Sequence, residues 1–154
     1  MSEHDRFVNS DGTFHFSNPE DAAKEKAFID LAETEWKCSM HRYGITAPVD
    51  FYASRHGRPA AHVELKARSH ASDRYDTVFL SLRKWLALQL LSAGTGLPAF
   101  YAVAFTDKTG YIEIQSVNAS RVEVNGRNAQ RTRTDREPLI HVPVASLQWM
   151  GDNQ

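Results

Sequence analysis

The chain has 154 residues, 42% of them apolar, with three Trp, eight Phe and a formal net charge of −1. That length suits one domain over residues 1–154 with apolar surface enough for a core, and the near-neutral balance is not that of an indiscriminate nucleic-acid binder, which needs local excess Lys and Arg over phosphate. A single cysteine, Cys38, excludes an internal disulfide, and no apolar run reaches the roughly 18 residues of a bilayer span. Residues 1–10 are mostly polar and lack the basic-then-apolar order of a secretory signal, so a cytoplasmic location away from any membrane is expected.

Asn18-Pro19-Glu20-Asp21 supplies a cap, a proline at the first helical position and acids in the first turn, so a helix starts there. Phe28, Ile29, Ala32 and Trp36 recur with helical spacing and carry it to about Lys37. Residues 38–43 read as a short strand, 44–48 as a turn, and 49–54 and 60–67 as two strands joined by a five-residue loop, Arg55 to Pro59. The polar stretch 69–76 reads as an exposed loop. Leu82 to Ala93 is a helix with Ser81 as its cap and Gly94 as its stop, and being nearly apolar all round it is expected to be well buried. Strands 99–105 and 111–117 form a hairpin, and 121–124 and 139–144 are two further short strands flanking an arginine-rich loop. The result is an α/β fold, a mixed central sheet flanked by helices, with a core over 19–117 and extra C-terminal strands in an extension over 118–154.

Charge is sorted along this order. Residues 1–35 hold nine acidic and three basic residues, whereas 55–84 hold seven basic and three acidic ones, and Arg127, Arg131, Arg133 and Arg136 cluster later around the lone Asp135. Such sorting is what a groove for a polyanion requires, although a solvated loop accounts equally well for the last cluster taken alone.

Within strand 60–67 side chains alternate faces, so His62, Glu64 and Lys66 share one side, as Asp50 and Tyr52 do in the strand before. If Ser54 pairs with Ala60, Asp50 falls opposite Glu64. Facing carboxylates repel, and a fold rarely keeps them without a cation. Mg²⁺ or Mn²⁺ suits two carboxylates, with the Leu65 carbonyl completing the set, and Lys66 would orient or activate an attacking water. The plainer reading is a surface ion pair between Glu64 and Lys66. Charges inside a Val-Leu strand are expensive unless used, which weighs against it.

Pro48-Val49-Asp50 followed fourteen positions after the Asp by Glu64-Leu65-Lys66 resembles the motif of the PD-(D/E)xK nuclease superfamily, and the element order resembles its αβββαβ core over about residues 19–117. Val49 between the proline and the aspartate is a departure from the motif. The stretch 75–86, with Ser81, Lys84 and Trp85, is similar to small nucleases of phages and mobile elements. The resemblance implies a Mg²⁺-dependent endonuclease acting on DNA, with Asp50, Glu64 and Lys66 catalytic and a glutamate of the first helix beside the metal. Of the three candidates Glu25 lies in the middle of the apolar helix face, and Glu33 and Glu35 at its borders. Arg55, Arg58, Arg68, Arg74, Arg83, Lys84, Arg131 and Arg133 are the expected phosphate contacts, and cutting both strands of a duplex would need a homodimer.

Other chemistries find less support. The seven histidines show no zinc-ligand spacing, Gly94-Thr95-Gly96 is a turn and not a phosphate loop, and no organic cofactor is expected. His62 shares the catalytic face and reads as a packed or exposed strand residue before a proton carrier. The competing class is a binding protein that kept this fold without catalysis, a phage-type inhibitor or accessory protein presenting its acidic N-terminal face.

Overall fold

In the computed structural model, which describes residues 19–44, 46–126 and 136–151, helix α1 (Pro19–Trp36) opens with Glu20 and Asp21 in its first turn, where the macrodipole favours them. It stops at Lys37, whose φ of 50° lets the Cys38 N–H reach the Glu33 carbonyl. Strands β1 (Ser39–Arg42), β2 (Phe51–Arg55) and β3 (Arg58–Ala67) follow as antiparallel neighbours.

The β2–β3 connection is a two-residue turn, not the expected five-residue loop. His56 and Gly57 both have positive φ, 51° and 73°, as a type I′ turn demands, and Arg55 pairs with Arg58. A bulge between Ala53 and Ser54 then shifts the ladder by one, giving Ala53↔Ala61, Tyr52↔His62 and Phe51↔Val63. The register beyond the bulge is therefore the expected one, and it sets Asp50 against Glu64.

After β3 the chain forms β4 (Thr77–Ser81), an element the αβββαβ expectation lacks, then α2 (Leu82–Thr95), β5 (Ala99–Ala104), β6 (Thr109–Glu113), β7 (Val122–Gly126), β8 (Arg136–Pro143) and β9 (Gln148–Trp149). A six-stranded mixed sheet runs β1-β2-β3-β5-β6-β9, with β3 and β5 parallel and α2 in the crossover. β4 leaves it for a second sheet, β4-β8-β7, because Val78 and Leu80 point inward onto Val142 and Ile140. β6 ends earlier than expected, in a 3₁₀ turn at Ile114–Ser116.

α1 covers one face of the main sheet, where Phe28, Ala32, Phe51, Val63 and Ala102 pack together. α2 and the second sheet cover the other, around Leu80, Leu88, Tyr101, Val103 and Ile140. α2 is not buried all round. Leu88 is fully buried, but Leu86 and Leu90 are 52% and 75% exposed, because only one side of the helix meets the sheets. The helix closes on Gly96, in the left-handed region at φ 70°, two residues beyond the expected Gly94. No helix among the described residues is long and apolar enough to cross a membrane.

Candidate active site

The residue just before β2 and the middle of β3 lock their acids together through backbone N–H groups. The Asp50 N–H donates to Glu64 Oε2 at 3.1 Å, and the Leu65 N–H donates to Asp50 Oδ2 at 3.0 Å. These bonds form because the β2 ladder stops at Phe51↔Val63, so the next edge of β3 is paired by a carboxylate instead of a strand. In an extended strand N–H and C=O of one residue point the same way, so the Leu65 carbonyl also turns to this side.

Glu64 is 8% exposed. Burial, followed by the neighbouring Asp50 charge, pushes its carboxyl up to about 7, and Lys84 pulls against both. Lys84 reaches in from the first turn of α2, with Nζ 3.2 Å from Glu64 Oε1 and donating to the Pro48 carbonyl at 2.8 Å. Tyr101, level with Glu64 on β5, is buried and donates to the Phe79 carbonyl at 2.8 Å, its hydroxyl pushed up to about 12 chiefly by burial.

A profile of the family described as "phage putative PDDEXK endonuclease" matches residues 15–150. The chain belongs to this PDDEXK endonuclease family. Among solved structures, Hjc, a Holliday junction resolvase from the archaeal hyperthermophile Archaeoglobus fulgidus, matches at a TM-score of 0.47 and 17% identity, over 80% of this chain and 93% of its own. No curated protein matches. The αβββαβ order of a PD-(D/E)xK core is present, with β4 inserted before α2.

For a PDDEXK endonuclease the donor set fits a hard dication. Two carboxylates are cross-held by backbone bonds at the place where the Leu65 carbonyl turns to the same side, one carboxyl is buried beside the other's charge, and Mg²⁺ needs only one or two carboxylates beside water and phosphate oxygens. No cluster of three or more His, Cys, Asp or Glu with metal-site geometry occurs among the described residues. Lys66 follows Glu64 by one pleat on the same face of β3 and is exposed.

The remaining expected residues scatter. Glu25 is ion-paired with Arg42, which pairs with Phe51 and lies over its ring, and so sits on the α1 face of the sheet, away from the Asp50–Glu64 pair. Glu33 accepts the Met40 N–H and Glu35 the Gly151 N–H, on that side too. Arg55 donates to the Trp36 carbonyl and caps α1, and with Arg58 it marks the hairpin tip, about 20 Å of strand from Glu64. Arg68 turns inward, donating to the Phe79 carbonyl at 3.2 Å, with its Nε buried and unpartnered. Arg74, stacked over Tyr75, and Arg83, beside Lys84, are exposed. Arg131 and Arg133 lie outside the described residues.

His62 is 2% exposed and held from both sides, with Tyr43 Oη 2.7 Å from Nδ1 and Thr95 Oγ1 2.8 Å from Nε2. Burial lowers its pKa, so it packs as a neutral ring behind the carboxylates. Its partners lie 19 and 33 residues away, and no spacing rule connects them.

Proposed function

We propose that this chain is a Mg²⁺- or Mn²⁺-dependent endonuclease that hydrolyses DNA phosphodiester bonds in the cytoplasm, in a single domain over residues 1–154. Asp50, Glu64 and the Leu65 carbonyl are its metal ligands. The observation that carries this reading is the pairing of half-buried Asp50 with buried Glu64, cross-held by backbone N–H groups, in a chain of an endonuclease family. When bound, the cation offsets the charge developing on the phosphate and makes water acidic enough to attack at neutral pH.

The chain's own groups do the rest. The backbone bonds fix the two carboxylates before any ligand arrives, so little reorganisation is left for the reaction. Lys66, on the same face, orients the attacking water and carries positive charge to the transition state. Arg74 and Arg83 contact the DNA backbone with Arg131 and Arg133, which makes binding fall with salt. A chain this size covers little duplex, so cutting both strands uses a symmetric dimer. Glu25, ion-paired on the far face, is given no role.

The test is cleavage of plasmid, linear, branched and single-stranded DNA with Mg²⁺ or Mn²⁺ by wild type, Asp50→Asn, Glu64→Gln and Lys66→Ala. Metal-dependent cutting lost in all three variants is expected. Folded wild type that cuts nothing in the panel would favour the non-catalytic binding protein.

A further inference from the structure

The carboxylate pair already has a cation, and it belongs to the protein. Lys84 Nζ lies 3.2 Å from Glu64 Oε1 and donates to the Pro48 carbonyl at 2.8 Å. Glu64 Oε2 meanwhile accepts the Asp50 N–H and Asp50 Oδ2 the Leu65 N–H. The ammonium thus holds Glu64's remaining oxygen, on a carboxylate that would be a ligand of a dication held by the two acids. Its side chain is 31% exposed, and its flexible four-carbon stem gives a way out to solvent.

We propose that Lys84 is an internal counter-ion that a divalent metal must displace, so that metal loading releases its amine from Glu64 toward the substrate side of the site. This rests on the metal reading of Asp50 and Glu64. Two acids and one ammonium leave a net single negative charge. A dication neutralises the pair fully and repels an ammonium a few ångströms away, so the two cations exclude each other. Linkage makes the effect reciprocal: whatever Lys84 takes from metal affinity, metal takes from the hold on Lys84. The protein without metal is thereby spared an uncompensated charge on buried Glu64, and the lysine is delivered to the phosphate only when the site is loaded. Arg83 beside it is exposed and makes no such contact among the described bonds, so the role is specific to position 84.

The experiment measures Mg²⁺ affinity by calorimetry at pH 8.5, above the titration of Glu64, for wild type and Lys84→Met. In parallel, pulse acetylation read by mass spectrometry follows Lys84 in wild type with and without Mg²⁺. Lys84→Met should bind Mg²⁺ at least about tenfold more tightly, while Lys84→Arg, which keeps the charge, stays near wild type. Lys84 should acetylate several-fold faster once Mg²⁺ saturates the site, an arm that requires no variant to fold. Equal or weaker Mg²⁺ binding by Lys84→Met, or acetylation indifferent to Mg²⁺, would overturn the displacement while leaving the metal site standing. Failure of both proteins to bind Mg²⁺ would remove the metal reading and this inference with it.

Discussion

Removing the charge of Glu64 without changing its shape should stabilise the protein, and only at high pH. A glutamate carboxyl ordinarily near 4.5 is here held up to about 7 by burial and by Asp50, after the relief Lys84 provides. At 1.36 kcal/mol per pH unit, the folded protein stores about 3 kcal/mol of destabilisation once the group is ionised. The sign follows from the raised value: the stabilising contribution is complete below pH 4.5 and is lost as pH rises through 7. Glu64→Gln, which resembles the protonated acid, should therefore match wild type near pH 4.5 and exceed it by about 3 kcal/mol at pH 8.5, roughly 6–12 °C in melting temperature for a chain this long. Urea and thermal melts in EDTA from pH 4.5 to 9 would measure it. A Glu64→Gln protein that is less stable than wild type at pH 8.5, or whose difference does not change with pH, would refute the reasoning that Glu64 is strained by its surroundings.

Mg²⁺ should reverse that ranking at pH 8.5 once it reaches about a thousand times its dissociation constant, where it stabilises wild type by about 4.1 kcal/mol and leaves Asp50→Asn unmoved, as melts over a Mg²⁺ titration would show. In α2, Leu88→Ala should cost about 3 kcal/mol in urea unfolding and Leu90→Ala less than about 0.5 kcal/mol, since the first side chain is fully buried and the second is 75% exposed. Gly57→Ala, at φ 73° in the hairpin turn, should cost about 1 kcal/mol by the same assay. Gly110→Ala would set a methyl 3.0 Å from Trp149 and 3.1 Å from Leu147, so a loss of roughly 1–3 kcal/mol, with a change in Trp fluorescence as β9 shifts, is expected.

The apposition of Asp50 and Glu64 was legible because strand alternation and register are local, and both ends of the hairpin lie within eighteen residues of each other. It was legible through a compensation: a loop taken as five residues is a two-residue turn, and the bulge restores the count. α1 was readable to within a residue, since its start and its apolar face are written in adjacent positions. α2 was misjudged in burial because an all-apolar helix carries no mark of which side meets the sheets. β4 was missed because its reason to be a strand, the pairing of Val78 and Leu80 with Val142 and Ile140, lies some sixty residues downstream. Separations of 11 to 36 residues likewise hide the partners of Lys84, Arg68 and His62, whose roles come from tertiary neighbours and not from spacing. The arginines at the hairpin tip show the converse, since a basic cluster in sequence is pulled apart when the strand between its members and the acids extends.

The bulge at Ala53/Ser54 divides the hairpin into two stretches of different register. On the acid side the pairing is tied to the sheet and to α1, and on the turn side Ser54 still pairs with Ser39 and meets the His41 ring before the hairpin ends in exposed residues, of which Arg55 caps α1 at Trp36. A ladder without an irregularity transmits any change of length at its tip to every pair along it, inverting each side chain. Here the irregularity can absorb such a change by migrating or doubling. The tip from Arg55 to Arg58 is thus a place where a peptide tag or a new DNA-contacting loop could be grafted with Asp50 still facing Glu64, whereas a single deletion between Phe51 and Ala53 would turn Asp50 away from its partner.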